Sequence, residues 1–507
     1  MIHGRQPAPP KGITAVELEP LRSLLAAAGF TEPDVCTRTA AKSIYDFRSI
    51  REGRTEGLEL NDALDVLIRL FMDVEMVDRG AAERLLGADG LRVLENLEFV
   101  SGYAADTRLC HAEILLYPTE SLWIASDLNI DPADPAKTVL SDDAVYPAIS
   151  NNTRLFLTLL PKDPCDRFLE LCAGTGIAAL LASKHAKHTW ATDITQRATG
   201  FARFNASLND VANCTAVRGD LYDAVPGQTF DRIVAHPPYM PSLEQKHIFR
   251  DGGDDGEQVT RRILAGLDEH LLPGGRFYCT CMMTERRGAP LEDRIRAMLG
   301  PHRGEFDLLL VTFRTFEPTD YYFKLALDGR ASLEEVVRRH EIFRDLAVEQ
   351  LVYCSMLIER HAQARPSFTA RRQAGNGVGT KDLNRLMAWK AESGAPDALT
   401  RLSECRIAAS PTARLRLEQI LAADGWVTQE CVLFSIAPFA VEAKCPSWTA
   451  TLVARCDGRR TVREHLQFLK SSGMLPPQAP EVEFAQFIRS LLDGGFLQLS
   501  EPSAGTS

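Results

Sequence analysis

The chain has 507 residues, of which 45% are apolar and 25% are charged; this composition is typical of soluble globular proteins, and the length exceeds what one hydrophobic core supports. The formal net charge of −11 disfavours a protein that coats nucleic acid non-specifically, because such binding depends on Lys and Arg displacing phosphate counterions. No stretch approaches the roughly 20 apolar residues of a membrane helix, and Met1 to Gly12 lacks the apolar core of a secretory signal, so we expect a cytoplasmic protein with no membrane contact.

The first part of the chain, residues 1–148, combines a helical pattern with a short β segment. Leu21, Leu24 and Leu25 recur at helical spacing, as do apolar residues between 64 and 71. Between residues 97 and 128 the pattern changes to short apolar runs with alternation. We therefore predict an N-terminal domain that is mostly helical and carries a small β unit.

From residue 149 to residue 330, strand-like and helix-like segments alternate. This alternation predicts a doubly wound parallel α/β sheet, in which ligands bind beyond the carboxyl ends of the strands. Functional residues are therefore expected where the predicted strands end. These strands are Arg167–Leu171, Thr189–Asp193, Cys214–Arg218, Arg232–Ala235, Arg276–Cys281, Asp307–Arg314 and Tyr321–Leu327.

The rest of the chain predicts a helical segment, a linker and a second small domain. Leu333 to Arg365 has the pattern of one or two amphipathic helices, and Arg371 to Thr380 has the glycine content of a flexible linker. Both are assigned to residues 331–400. Helical stretches followed by a short terminal strand then predict a winged-helix-like domain over residues 401–507.

The strongest functional signal is the segment Phe168-Leu-Glu-Leu-Cys-Ala-Gly-Thr-Gly-Ile177. A buried-strand pattern containing Glu170 leads through Cys172, Gly174 and Gly176 into a predicted helix. Glycine is needed here because a tight turn and a close backbone approach to a ligand leave no room for a Cβ atom. Taken alone, this loop is compatible with a dinucleotide, with another nucleoside or with no ligand.

Acidic residues accompany three successive predicted strands. Glu170 precedes the glycine loop, Asp193 ends the next strand and Asp220 follows the third. Three carboxylates along one crevice favour a ligand with hydroxyl and amino groups and no phosphate. A carboxylate at the position of Asp193 can accept hydrogen bonds from both hydroxyls of a ribose. For each acid taken singly, a helix cap or a turn residue is the alternative interpretation.

The fourth predicted strand leads into Phe230-Asp-Arg-Ile-Val-Ala-His-Pro-Pro-Tyr239. Pro237 and Pro238 fix the backbone and remove two amide donors, which leaves the carbonyl groups around His236 facing the crevice as free acceptors. Tyr239 adds an aromatic face. The alternative interpretation is a rigid turn that carries a core tyrosine.

Together, these motifs resemble those of a known family. Residues 165–282 are similar to the class I S-adenosylmethionine-dependent methyltransferases, and the Pro-Pro-Tyr element resembles that of the protein N5-glutamine and nucleic-acid N6-adenine methyltransferases. The resemblance implies a Rossmann-like, seven-stranded methyltransferase sheet with S-adenosyl-L-methionine as the cofactor. It assigns the methionine part of the cofactor to Glu170, Cys172, Gly174 and Gly176, the ribose to Asp193 and the adenine to Asp220.

At one position the chain departs from this family pattern. The family motif is Asn-Pro-Pro-Tyr, and His236 stands in place of the Asn. In the family, the Asn side chain and the carbonyl of the first proline accept both hydrogens of the target NH2 group. A neutral imidazole offers only one acceptor nitrogen and can act as a general base near neutral pH. The target atom is therefore left open, with His236, Pro237 and Tyr239 as predicted catalytic residues and His236 also beside the cofactor.

Substrate residues are assigned by the same resemblance. The segment Phe249-Arg-Asp-Gly-Gly-Asp-Asp-Gly-Glu257 resembles the Gly-Gly-x-Asp-Gly segment of glutamine methyltransferases. Asp251 and Asp254 are predicted to attract a cationic or amino group, and Pro238 is predicted to contact the substrate. An acidic loop that only caps the next helix is the alternative.

The flanking parts of the chain carry weaker resemblances. The N-terminal unit before the core is similar to that of a group of bacterial methyltransferases. In this chain, Asn152 and Thr153 are predicted to close over the cofactor from the helix before the first core strand. Cys456 to Val462, with Leu492 to Leu497, is similar to winged-helix domains that bind peptide substrates in natural-product modification. A structural or dimerising appendage is the alternative.

The predicted function is methyl transfer from S-adenosylmethionine to an amine or amide nitrogen of a small molecule, peptide or protein. One alternative is an RNA or DNA adenine-N6 methyltransferase, and another is a cofactor-binding scaffold without catalysis. No metal site is predicted, because the twelve cysteines contain no CxxC pair. The oligomeric state is left open. The basic cluster that the nucleic-acid alternative needs consists of Arg360, Arg365, Arg371, Arg372 and Lys381.

Overall fold

A computed structural model describes residues 14–49, 52–54, 59–134, 140–244, 246–327, 331–395 and 397–500 of the protein. The first of two units comprises Met1–Pro301 with Phe316–Ser355, and the second comprises His302–Thr315 with Met356–Ser507. The domain boundaries at residues 149, 331 and 401 stay predictions, and Met1 to Gly12 lie outside the described residues. Within the described ranges, no helix is long and apolar enough to cross a membrane.

The N-terminal part of the first unit is helical and then β-structured, as the helical patterns around Leu21 and over 64–71 and the alternation over 97–128 predict. Thr31 and Asp62 begin two of the helices by accepting backbone N–H groups with their side chains. The elements are α1 (Glu19–Ala27), α2 (Glu32–Thr39), α3 (Ala63–Phe71), β1 (Val77–Asp78), α4 (Arg79–Leu86), α5 (Ala88–Asn96), β2 (Val100–Gly102), β3 (Leu109–Ala112), β4 (Leu115–Thr119) and β5 (Leu122–Ser126). Strand β3 pairs with β1 and β2, and β4 pairs with β5, all antiparallel.

The central part of the first unit alternates strands and helices. Its elements are α6 (Asn151–Thr158), β6 (Cys165–Leu171), α7 (Ile177–Ala182), β7 (Ala186–Asp193), α8 (Gln196–Leu208), β8 (Cys214–Arg218), β9 (Phe230–Ala235), α9 (Gln258–Ala265), α10 (Leu267–His270), β10 (Leu271–Arg286) and α11 (Leu291–Met298). Strands β10, β9, β6, β7 and β8 lie side by side in that order and are parallel. The predicted parallel α/β sheet is confirmed here.

The strand order places the functional segments at one point of the sheet. From β6 the chain moves outward to β7 and β8, and then returns to the other side of β6 to form β9 and β10. The carboxyl ends of β6 and β9 are therefore neighbours at the switch point, where open α/β sheets bind their ligands. The carboxyl-terminal residues of both strands, Phe168–Leu171 and Ile233–Ala235, are buried.

Two predicted assignments after residue 300 are wrong. The chain continues through β11 (Phe306–Phe316), α12 (Pro318–Leu327), α13 (Leu333–Asp345) and β12 (Val348–Arg360). The predicted strand Tyr321–Leu327 is part of α12, whose proline at the first position is favourable for starting a helix. The predicted helix over 333–365 ends at Asp345 and gives way to β12. Residues 351–358 are all buried, and a short, fully apolar run of this kind does not distinguish a strand from a helix.

The second unit contains a mixed sheet and a smaller antiparallel sheet. Its further elements are β13 (Thr369–Ala374), α14 (Thr380–Ser393), α15 (Ala398–Glu404), β14 (Arg406–Ala409), β15 (Arg414–Ala422), β16 (Gly425–Ser435), β17 (Phe439–Lys444), α16 (Trp448–Arg455), β18 (Asp457–Thr461), α17 (Val462–Ser471), α18 (Glu481–Asp493) and β19 (Leu497–Leu499). The mixed sheet has the order β15, β16, β17, β13, β11, and the smaller sheet has the order β18, β14, β19. The linker predicted over 371–380 is in part strand β13, which pairs in parallel with β11.

Candidate functional site

The glycine loop forms a tight turn between β6 and α7. Cys172, Gly174 and Gly176 all have left-handed backbone conformations, with φ angles of 55°, 53° and 77°. A Cβ atom on Gly176 would lie 3.0 Å from the Cβ of Ala202 in α8. A Cβ on Gly174 would meet only a side-chain carbon of Val145, at 4.0 Å. Gly176 is therefore needed for packing, whereas the space beside Gly174 is open to a ligand.

Glu170 holds the helix α7 that follows this loop. Its carboxylate accepts the backbone N–H groups of Ala178, at 3.3 Å, and Ala179, at 2.8 Å, in the first turn of α7. Burial raises its pKa to about 8, although these two hydrogen bonds oppose the shift. Glu170 thus caps a helix, which is the alternative that the sequence leaves open, and a direct contact with the methionine part of the cofactor stays a prediction.

Asp193 ties the end of β7 to the glycine loop. Its carboxylate accepts the backbone N–H of Gly174 at 3.1 Å. It also accepts the backbone N–H of Thr195 at 3.0 Å and the Thr195 hydroxyl at 3.2 Å. Burial raises the pKa of Asp193. Ribose hydroxyls bound to Asp193 would therefore share its carboxylate with the backbone N–H of Gly174. Ribose binding would then depend on the conformation of the glycine loop.

The three predicted acids do lie along one edge of the sheet. Glu170, Asp193 and Asp220 belong to the carboxyl ends of β6, β7 and β8, which are adjacent parallel strands. Asp220 forms an ion pair with Arg262 of α9, with an N–O distance of 2.9 Å, at a partly exposed position. Its predicted place beside the adenine is therefore next to a cation as well as a carboxylate.

His236 begins the segment that follows β9. Its ring stacks on Phe156 of α6, with centroids 5.3 Å apart and planes 23° apart, and lies 5.7 Å from the ring of Tyr239. Burial lowers its pKa to about 4. The imidazole is therefore neutral at physiological pH, and the ionisation near neutrality that the sequence suggests moves to acidic pH. Within the described part of the chain, its buried Nε2 atom has no hydrogen-bond partner.

Helix α6 holds Tyr239 in place. The side-chain amide of Asn152 donates a hydrogen bond of 2.8 Å to the Tyr239 hydroxyl. Thr153 is buried, and its backbone N–H donates to the Ser150 hydroxyl at 3.2 Å. The structure thus brings Asn152 to the Pro-Pro-Tyr segment, while the contact of Thr153 with a cofactor stays a prediction.

The acidic glycine loop packs directly on the Pro-Pro-Tyr segment. Met240 donates its backbone N–H to the carbonyl of Arg250 at 2.9 Å, and Gly252 donates to the carbonyl of Met240 at 2.8 Å. A Cβ atom on Gly256, whose φ is 77°, would lie 2.4 Å from the carbonyl oxygen of Tyr239. Only glycine allows this approach, so the two predicted motifs form one structural element.

The two predicted substrate carboxylates have different surroundings. Asp251 is buried and accepts the backbone N–H groups of Lys246, at 2.8 Å, and His247, at 2.9 Å. Burial raises its pKa, but these bonds and Arg250 outweigh the burial and hold the pKa below its usual value. Asp251 therefore shapes the loop, whereas Asp254 is exposed. Contacts of either residue with a substrate stay predictions.

Comparison with known proteins assigns a family to this region. Residues 137–301 match the family model of the methyltransferase small domain. A ribosomal protein uL3 glutamine methyltransferase of Bradyrhizobium diazoefficiens is 35% identical over 128 residues, which cover 22% of this chain and 40% of that protein. A putative protein N5-glutamine methyltransferase of Methanocaldococcus jannaschii is 37% identical over 114 residues, covering 21% and 57%. A release factor glutamine methyltransferase of Coxiella burnetii is 33% identical over 127 residues, covering 23% and 46%.

These matches confirm the predicted resemblance to methyltransferases, and with it S-adenosylmethionine as the cofactor of this methyltransferase domain. The chain spans about half the length of the curated relatives that it matches. The domain fits the cofactor by its own geometry: open space beside Gly174, a carboxylate at Asp193 and an unpartnered nitrogen on His236 lie at neighbouring strand ends.

A buried ion network behind the methyltransferase site was missed by the sequence analysis. Glu257 is fully buried and accepts the backbone N–H of Thr284 at 2.8 Å and its hydroxyl at 2.6 Å. It also pairs with Arg294, and Arg286 pairs with Asp255 at 2.8 Å. The network fixes the acidic glycine loop to β10. Only the tertiary fold reveals it, because Thr284 and the two arginines lie 27 or more positions along the chain from Glu257.

Proposed function

We propose that this protein transfers the methyl group of S-adenosylmethionine to an amide nitrogen of a protein side chain. The observation that carries the proposal is the buried Nε2 atom of His236, which has no hydrogen-bond partner among the described residues. His236 precedes Pro-Pro-Tyr at the switch point of the sheet. The relatives named above methylate glutamine in proteins, and their similarity to this chain supports the same class of acceptor. These relatives match only part of this chain, and we assign their class of acceptor, a protein side-chain amide, to the whole protein.

The cofactor is assigned to the edge formed by the glycine loop. Cys172, Gly174 and Gly176 face its methionine part, Asp193 its ribose and Asp220 its adenine. When bound, it supplies a methyl group activated by a sulfonium centre. Glu170 acts through the loop, because its carboxylate holds the first turn of α7. Thr153 lies on α6. We assign this helix to the side of the cofactor that faces His236.

The residues after β9 orient the acceptor nitrogen. An amide lone pair is delocalised into its carbonyl, so the NH2 group needs to be held in position for transfer, and alignment of two reactants contributes on the order of 7–11 kcal/mol. Neutral His236 accepts one N–H through Nε2, which requires the ring proton to be on Nδ1. The Pro237 carbonyl accepts the second N–H. Tyr239, fixed by Asn152, forms the wall of the pocket.

The same geometry indicates how the proton leaves. As the new N–C bond forms, the amide nitrogen becomes strongly acidic, so a weak base is sufficient to accept its proton. His236, whose pKa is about 4, is such a base. Pro238 and Asp254 are assigned to the entrance through which the protein side chain reaches His236, and Asp251 shapes that entrance. No metal takes part in this scheme.

The proposal includes several finer assignments. These are a seven-stranded methyltransferase sheet, a winged-helix-like domain over 401–507, a cytoplasmic location, no membrane partner and a protein substrate in preference to nucleic acid. The parallel order of β10, β9, β6, β7 and β8 supports the first of them. Capping of α17 by Thr461, beside the small sheet of β18, β14 and β19, supports the second.

The test is methyl transfer to a fractionated cell extract. The full chain is incubated with S-adenosylmethionine labelled in its methyl group, and the label is followed by protease and ribonuclease treatment. We expect protease-sensitive label and mass spectrometry that places the methyl group on a glutamine or asparagine amide. Label that only ribonuclease removes, or cofactor binding without transfer to any fraction, would overturn the proposal.

The matched variant is Asp193→Ala. It should weaken cofactor binding by roughly 1.5–3 kcal/mol, the value of hydrogen bonds to a charged group, measured by calorimetry with the demethylated product. The control is Asp254→Ala, which changes an exposed carboxylate outside the cofactor edge. Equal affinities for the two variants would contradict the assignment of the ribose.

A further inference from the structure

Strand β15 lies at the open edge of the mixed sheet in the second unit. It pairs with β16 on one side through nine residue pairs, and among the described residues no strand pairs with its other side. All nine of its residues, Arg414–Ala422, are exposed. A long, exposed edge of this kind presents unpaired backbone N–H and C=O groups, which are a template for pairing with another strand.

The two faces of this edge strand differ in chemistry. Leu415, Leu417, Gln419 and Leu421 lie along one face, and 41%, 45% and 70% of the surface of the three leucines is exposed. Trp426 of β16, at the tip of the hairpin, stands opposite Leu421 and is 68% exposed, but it belongs to the inner strand and not to the open edge. The three exposed leucines of the edge strand, grouped on one face, mark an interaction surface rather than a solvated strand. The other face carries Arg414, Arg416, Glu418 and Ile420.

The order of charges makes this edge complementary to itself. If two copies of β15 pair antiparallel about Leu417, Arg416 of each copy stands opposite Glu418 of the other, because their positions are symmetric about residue 417. Leu417 then meets its own copy, and Leu415 of each chain lies on the same face, which continues the apolar surface across the twofold axis. Opposite charges directly across a strand pair are stabilising.

The neighbouring register lacks this complementarity. Pairing about Glu418 brings the two Glu418 carboxylates directly opposite each other, and Arg416 then faces Ile420. Like charges in that position are destabilising. The charge pattern therefore favours the register about Leu417 over this neighbouring register. A twofold contact in which one surface patch meets its own copy is also the commonest symmetry of protein dimers.

We propose that the protein forms a homodimer by antiparallel pairing of β15 with β15 of a second copy, in the register centred on Leu417. The contact is built from backbone hydrogen bonds, an apolar face and two symmetric Arg416–Glu418 pairs. Within one chain, Arg416 also pairs with Glu442 at 2.8 Å, but both side chains are about half exposed, and such a surface pair contributes little. Its guanidinium also lies 5.7 Å from the centroid of the Phe434 ring. We expect Arg416 to exchange these exposed contacts for Glu418 of the second copy.

The experiment is sedimentation velocity of the full chain over a series of concentrations. Dimers should sediment with twice the monomer mass of 56.1 kDa, and because an interface of one strand is small, the dimer should dissociate on dilution. Arg416→Glu and Glu418→Arg should each weaken association by about tenfold, since each creates two like-charge pairs. The double variant, R416E with E418R, exchanges the charges and should restore association.

Two further variants distinguish association through the edge strand β15 from association through the exposed tip of the β15–β16 hairpin. Leu417→Asp places two carboxylates on the twofold axis and should give monomers, while Trp426→Ser, on the inner strand, should leave association unchanged. Circular dichroism establishes that each variant is folded, as expected for changes at exposed positions. A monomeric wild-type chain at all concentrations would overturn the proposal, as would a Leu417→Asp dimer, failure of the double variant to recover, or loss of association in Trp426→Ser.

Discussion

The two glycines of the loop after β6 make the assignment of the cofactor testable through alanine substitutions. Gly174, Gly176 and Gly227 all have positive φ angles, of 53°, 77° and 67°. Forcing an L residue into this region costs roughly 1–2 kcal/mol. All three alanine variants share that cost, so differences between them report on what surrounds each Cβ.

The surroundings of the three positions differ in a useful way. A Cβ on Gly227 meets nothing within 4 Å, and a Cβ on Gly176 lies 3.0 Å from the Cβ of Ala202. Overpacking of this kind adds about 1–3 kcal/mol. Gly176→Ala should therefore lower the free energy of unfolding by about 2–5 kcal/mol, and Gly174→Ala and Gly227→Ala by about 1–2 kcal/mol each.

Binding separates the two milder variants. The new methyl group in Gly174→Ala enters the space assigned to the cofactor, so its affinity for S-adenosylmethionine should fall by about tenfold, or 1.4 kcal/mol. Gly227→Ala should bind as tightly as wild type. Stability is measured by urea denaturation of the first unit and affinity by isothermal titration calorimetry. Equal affinities of Gly174→Ala and Gly227→Ala would refute the reasoning that places the cofactor beside Gly174.

Three further predictions follow from buried ionisable groups. Because burial lowers the pKa of His236 to about 4, kcat/KM should be independent of this group between pH 6 and 8. Wild type should lose activity near pH 4, in a titration step that His236→Asn lacks. A titration step near pH 7 that disappears in His236→Asn would contradict the conclusion that His236 is neutral at physiological pH. The pKa of Glu170 is raised from 4.5 to about 8, so its stabilising contribution is complete below pH 4.5 and is lost as the pH rises to about 8. The free energy of unfolding of Glu170→Gln should therefore fall less over this pH range than that of wild type. Parallel curves for the two proteins would show that Glu170 does not titrate in this range. Glu257→Gln removes the charge that faces three arginines at a fully buried position, and should cost about 3–5 kcal/mol in urea denaturation. Asp254→Asn, at an exposed position, should stay within about 0.5 kcal/mol of wild type, and equal costs would show that the Glu257 network contributes no special stability.

Local sequence patterns were sufficient where one element carries the signal. The strand and loop around Gly174 lie within residues 168–177 and the Pro-Pro-Tyr segment within residues 230–239, and each predicted acid is read from a single strand end. The structure places these segments at one edge of a parallel sheet. The prediction of a methyltransferase rests on these segments. The predicted strand over 321–327 is wrong, and so is the part of the helical prediction over 333–365 that β12 occupies, because an apolar run without polar alternation fits either element.

The tertiary structure decided what surrounds each of these residues. A sequence shows that His236 replaces an Asn, but not that Phe156 covers its ring and that burial lowers its pKa to about 4. It shows Glu170 and Asp251 as carboxylates, but not that backbone N–H groups already occupy them. Side-chain chemistry in this protein depends on burial and on partners far along the chain, and both arise only when distant segments pack together.

The sequence by itself therefore determined the residue types and the strand ends at which they stand, since periodicity and turn chemistry are local. Within the described ranges, folding determined which backbone groups bind each carboxylate, that the Nε2 atom of His236 has no hydrogen-bond partner and which strand edge is left open. These properties are set by solvent exclusion and by contacts between distant segments.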